Sequence, residues 1–155
     1  MEPLPLSIIT MALALVAGTV AIHSLGSFLL IRGFVRYRGR IPGTFRYSRL
    51  IMGLTFVVMC LLVIHLFEVS LWAALYTHER CFADPRTSFY FSLVTYATVG
   101  YGDVLLTEQY RMLGGIEALV GVMMMSWSTA LLMGYVHWVY SQVLDRWNGT
   151  AGTKT

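Results

Sequence analysis

The sequence predicts an all-α membrane protein, with three transmembrane helices, one short re-entrant helix and an extended segment after it. Three observations carry this. The chain of 155 residues is 57% hydrophobic and only 12% charged, with a mean hydropathy of +0.66. That is too apolar for a soluble domain and too short for several. Three apolar runs are long enough to cross a bilayer. A fourth, between the second and third, is too short to cross and ends in closely spaced glycines.

The spans come first. About 20 residues at roughly 1.5 Å each cross the hydrocarbon core. Ile8 to Ile31 contains no charged residue, with His23 its one strongly polar interruption. Leu50 to Tyr76 is broken only by His65 and Glu68, and Met112 to Trp138 only by Glu117 and His137. The first run is not a signal peptide, because only Glu2 precedes it as a charge and it is long enough to span. His23 and His65 are expected to be satisfied by hydrogen bonds between helices.

Charge sets the orientation. "RGFVRYRGRIPGTFRYSR", Arg32 to Arg49, joins the first two spans with six arginines and no acid. Short basic loops stay in the cytoplasm, which places the N-terminus outside and the C-terminus inside a cell membrane. The net charge of +3 is therefore mainly a topology signal. Arg32, Arg36, Arg38, Arg40, Arg46 and Arg49 are also candidates for contact with anionic lipids. They do not recur every third residue through an apolar helix, so no voltage sensor is expected, nor is nucleic-acid binding. Cys60 lies in a span and Cys81 outside it, which implies no internal disulfide framework. The sequon Asn148-Gly149-Thr150 falls on the cytoplasmic side and is discounted.

The segment "ADPRTSFYFSLVTYATVGYGDV" needs a different explanation. Asp84 followed by Pro85 reads as a helix start, with an acceptor at the cap and proline in the first turn. Pro85 to Ala97 makes roughly 20 Å of helix, too short to cross and return as helix. It must dip in from the outside, and irregular backbone at that depth survives only where protein buries it or it lines water. Thr98 to Asp103 should then be extended, with Gly100 and Gly102 allowing positive φ on alternate residues. Such alternation turns successive carbonyls to one side, where they replace the water around a cation. Thr98 adds a hydroxyl, Val99 and Tyr101 turn their side chains away, and the negative end of the short helix points at the membrane centre.

"TVGYGD", Thr98 to Asp103, resembles the potassium-channel selectivity filter, for which TVGYG is the type example. Thr95 and Thr98 three apart, the aromatic pair Tyr90–Phe91 and a span on each side agree with it. The resemblance is to the bacterial ion-channel family with two transmembrane helices around each pore loop. It covers Leu50 to about Tyr140 and is preceded here by one additional helix. It implies a potassium-selective homotetrameric pore, with K+ held at Thr98, Val99, Gly100 and Tyr101 and Asp103 closing the filter. It further implies no enzymatic activity and no cofactor beyond the permeant ion. The expected organisation is an N-terminal helix and basic loop over 1–49, a pore domain over 50–143 and a short tail over 144–155.

The same resemblance assigns expectations outside the filter. Ser126 and Thr129 should face the cavity below it, or else serve as small packing residues. Gly121 is a candidate hinge, with Gly114, Gly115 and Gly134 as rivals. His137 is a candidate gating residue, because four histidines near converging helices would repel one another once protonated, or it is an interfacial residue beside Trp138. Glu68 and Glu117 should lie at the depth of the filter. Either they brace the short helix from behind, or they bond to neighbouring hydroxyls or to an indole such as that of Trp72. No proline follows Asp103 as it often does in the family, which leaves the outer mouth undefined. Few residues follow Tyr140, so a soluble sensing domain is not expected. A silent or regulatory channel subunit and a weakly selective cation channel are the alternative functions.

Overall fold

The computed structural model describes residues 6–38 and 47–151. Four helices follow in chain order: α1 (Leu6–Arg38), α2 (Tyr47–His78), α3 (Pro85–Tyr96) and α4 (Arg111–Ala151). Segments Leu6–Arg36, Leu50–His78 and Arg111–Leu144 are each long and apolar enough to cross a membrane. The three predicted spans are therefore present, with slightly wider bounds. The third span ends at Leu144, and α4 continues beyond it as helix to Ala151. No proline interrupts that stretch and its first glycine is Gly149, so nothing stops the helix earlier.

The distribution of side chains is that of a bundle in lipid. Leu13, Phe28, Phe56 and Phe67 are all more than half exposed, while Thr19, His23, Glu68 and Glu117 are completely buried. In water that arrangement would be untenable. In a bilayer the apolar surface is already solvated, and packing with hydrogen bonding draws the helices together. α1 lies close on α2 because it offers small residues there. A Cβ on Gly26 would come within 2.7 Å of the Ile64 side chain.

α3 enters between α2 and α4 and turns back. Its middle residue Ser92 bonds to the Val69 carbonyl of α2 at 2.9 Å and to Glu117 of α4. Its last residue, Tyr96, reaches Glu68 and lies 3.3 Å from His65. His65 is 13 residues before the end of α2, about 20 Å along the helix. The tip of α3 thus reaches deep into the span. The chain then returns, because Tyr90 donates to Asp103 at 2.8 Å, beside the first half of α3. Leu106 next inserts into a cluster with Trp72, Phe91 and Leu113. That anchor, with Tyr110 donating to Glu79 at 2.7 Å, shapes the return segment.

The start of α3 is built as the sequence predicts. Asp84 has extended backbone and accepts from the Arg86 amide at 2.8 Å, the Thr87 amide at 3.0 Å and the Thr87 hydroxyl at 2.7 Å. The Thr87 hydroxyl and amide, then the Arg86 amide, hold its carboxyl below the usual range. A depressed folded value means that the cap's stabilisation is complete above the unfolded value, about 3.9, and is lost as the pH falls through the folded one. Acidification below about pH 4 should therefore lower the thermal midpoint of the wild type more than that of Asp84→Asn, whose cap cannot titrate. Parallel acid responses would remove Asp84 as the cause.

Candidate functional site

The loop after α3 has an alternating backbone. Thr98, Gly100 and Gly102 take φ of 57°, 50° and 78°, while Val99 and Tyr101 stay on the ordinary side. Positive φ at both glycines was legible in the motif; at Thr98 it was not. A β-branched residue in the left-handed region is strained, and local hydrogen bonds hold it there. The Thr98 amide donates to the Thr95 carbonyl at 2.9 Å, and the Val99 and Gly100 amides donate to that of Val94 at 2.8 and 3.2 Å. α3 therefore ends by gripping the first three residues of the loop. The whole stretch from Thr98 to Asp103 is exposed on the single chain. So are Ser126 and Thr129, whose hydroxyls donate back to the Val122 and Met125 carbonyls of α4.

Behind α3 lie two buried carboxylates. Glu117 accepts from the Tyr76 hydroxyl at 2.7 Å and from Ser92. Glu68 sits 2.9 Å from His23 Nδ1 of α1 and 2.9 Å from His65 Nδ1, and accepts from the Tyr96 hydroxyl. The second nitrogen of His65 lies 2.9 Å from Ser128 on α4. Each acid thus bonds to hydroxyls, as one sequence reading has it, and one hydroxyl partner of each belongs to α3, as the other requires. Trp72 takes no part, because its indole donates instead to Thr19 at 3.0 Å. His23 and His65 are bonded across helices as expected. Sequence reasoning missed Ser92, Tyr96 and Ser128. A signal was available in Ser88, Ser92 and Tyr96, hydroxyls four residues apart and all buried on one face of α3.

Gly121 has a packing explanation. A Cβ there would run into the Tyr96 carbonyl oxygen, with the carbonyl carbon at 3.0 Å and Tyr96 Cγ at 3.2 Å. α4 passes the end of α3 so closely that only glycine fits. Gly121→Ala should lower stability by about 1–3 kcal/mol, the usual cost of overpacking against atoms that cannot move. Gly33→Ala, where a Cβ meets nothing within 4 Å, should stay within about 0.5 kcal/mol of wild type. Thermal unfolding in detergent compares them, and equal midpoints would refute the close packing.

The remaining expectations are scattered. His137 is exposed on α4, far along the chain from the loop. Arg32 and Arg36 are exposed near the end of α1. Arg40 and Arg46 lie outside the described residues, as do the side chains of Arg38 and Arg49. Cys60 and Cys81 are both free thiols and half-buried.

Two spans, a re-entrant helix and an alternating loop between them describe a pore-forming architecture. Residues 64–137 match a family model described as "Ion channel". The matched segment runs from Ile64 through α3 and the loop to His137, and α1 lies outside it. No curated protein and no solved structure matches the chain. The match supports an ion channel, and with three helices able to span a bilayer it describes an integral membrane protein.

Proposed function

We propose that the protein conducts potassium passively across the membrane, through a pore of four identical chains with Thr98 to Asp103 as the filter. The alternation of φ at Thr98, Gly100 and Gly102 is the observation that carries this. An ordinary strand points successive carbonyls to opposite sides, whereas alternation between the two hands brings them to one side. The carbonyls of Thr98, Val99, Gly100 and Tyr101 then form a column that replaces the hydration shell of K+. One chain supplies one wall of that column, and the loop's exposure on the single chain suits a surface facing three copies of itself. The C-terminal end of α3 lies beneath it and favours a cation.

The surrounding residues take roles from their positions. The Tyr90–Asp103 hydrogen bond ties the outer end of the filter to α3. Glu68 and Glu117 hold α3 from behind through Tyr96 and Ser92. Ser126 and Thr129 line the cavity on the inner side, given the orientation set by the basic loop. In this mechanism the protein acts as a conduit for the ion.

Reconstitution into liposomes is the test. A potassium gradient should drive flux that barium blocks, with sodium carried far less. Equal sodium and potassium flux would identify a weakly selective cation channel, and no flux would leave a silent subunit in place of a pore.

A further inference from the structure

We propose that His23, His65 and Glu68 bind one transition-metal dication of the zinc class, with the Tyr96 phenol as fourth ligand, where α1, α2 and α3 meet. One ligand atom from each of the first three residues lies within 4.8 Å of the others. His65 and Glu68 stand three apart on α2, a spacing that puts both on one helix face and recurs in metal sites of helix bundles. His23 comes from the facing helix, brought near by the close approach at Gly26. In a four-coordinate zinc site, ligand atoms about 2.0–2.1 Å from the metal sit roughly 3.3 Å from each other. Here each histidine Nδ1 is 2.9 Å from a Glu68 oxygen, His23 from one and His65 from the other, and the three ligand atoms lie within 4.8 Å of one another, so side-chain rotations without any helix movement bring them around one ion.

The state of His23 is the second observation. The residue is completely buried, yet among the described residues its Nε2 has no hydrogen-bond partner, while its Nδ1 bonds to Glu68. Metal binding exchanges that hydrogen bond, together with those of His65 Nδ1 and the Tyr96 hydroxyl to Glu68, for bonds to one ion. His65 is already supported as metal-bound histidines usually are, with its other ring nitrogen 2.9 Å from Ser128 Oγ. Tyr96 completes the set, since its oxygen contacts Glu68 and lies 3.3 Å from His65 Nδ1.

Charge selects the ion. Two neutral imidazoles, one carboxylate and one phenolate balance a dication to zero, which suits an interior where uncompensated charge is costly. Binding forms the metal–oxygen bond to Tyr96 as the phenol proton leaves to solvent, with no oxidation or reduction. Nitrogen donors favour zinc, cobalt or nickel over calcium or magnesium. A bound ion would pin α1 and α2 to the last residue of α3.

Cobalt(II) is the probe. The full chain, purified in detergent and stripped with chelator, is equilibrated with cobalt, passed through gel filtration and assayed for metal content and visible absorption. About one cobalt per chain is expected, with the strong visible bands of a tetrahedral site, and zinc should displace it. His23→Gln should bind at least about tenfold more weakly. Tyr96→Phe, which keeps the ring in place, should do the same if His23→Gln does not fold. Failure of the wild type to take up cobalt, or equal uptake by a folded variant, would overturn the site. Metal content is read without ion flux, so the result stands apart from the conduction proposal.

Discussion

Gly100→Ala is expected to abolish potassium flux in liposomes. Gly100 has φ of 50°, and a Cβ added there meets nothing within 4 Å in the single chain. The penalty is therefore conformational, about 1–2 kcal/mol for a non-glycine residue in the left-handed region. In the proposed ring of four it would be incurred four times, about 4–8 kcal/mol in all. Thr98 tolerates the same region because its amide is fixed to the Thr95 carbonyl at 2.9 Å. Gly100 has weaker support, a 3.2 Å bond to a Val94 carbonyl that it shares with Val99. The loop will relax by rotating the peptide, and a carbonyl that turns away removes a ligand from every chain at one level of the column. Tyr101→Asp should instead leave flux but lower the preference for potassium over sodium. Normal potassium flux through the alanine variant would mean that these carbonyls are not the ion's ligands.

The second large effect falls on stability. Glu68→Ala strands the fully buried His23 Nδ1 and leaves His65 Nδ1 and the Tyr96 hydroxyl with only their mutual 3.3 Å contact. Leaving a buried donor or acceptor without its partner costs about 1–3 kcal/mol, a large fraction of the stability of a marginally stable protein. Glu68→Gln, which keeps an acceptor oxygen and the side-chain volume, should lose less. Glu108→Ala changes an exposed acid and should stay within about 0.5 kcal/mol. Thermal unfolding in detergent ranks the three. A Glu68→Ala midpoint equal to that of Glu108→Ala would show that the cluster contributes nothing to stability.

The elements were largely legible in the chain because lipid imposes a simple rule. Any apolar run of sufficient length spans, and backbone polar groups in it must be satisfied internally. That rule located α1, α2 and α4, and Asp84–Pro85 marked the start of α3 to the residue. It does not bear on where α4 ends, since ending a span does not end a helix: the span closes at Leu144 and the helix runs on to Ala151. Glycine positions were legible to different degrees. Gly100 and Gly102 lie in a motif whose backbone requirement follows from spacing, so their positive φ could be anticipated. Gly121 is one of five glycines in α4, and only the approach of the Tyr96 carbonyl distinguishes it.

By itself the sequence determined the number of spans, the re-entrant helix and the place where the backbone must alternate. These depend on length, hydropathy and local conformation, which are properties of contiguous residues. Only the tertiary structure decided which polar side chains meet. His23 and Glu68 are 45 positions apart, and Tyr76 and Glu117 are 41 apart. Either acid had several hydroxyls and imidazoles within reach of a plausible packing. Which of them it bonds depends on the rotation of each helix about its axis. That rotation is fixed by close contacts such as those at Gly26 and Gly121, where the absence of a side chain lets two backbones approach.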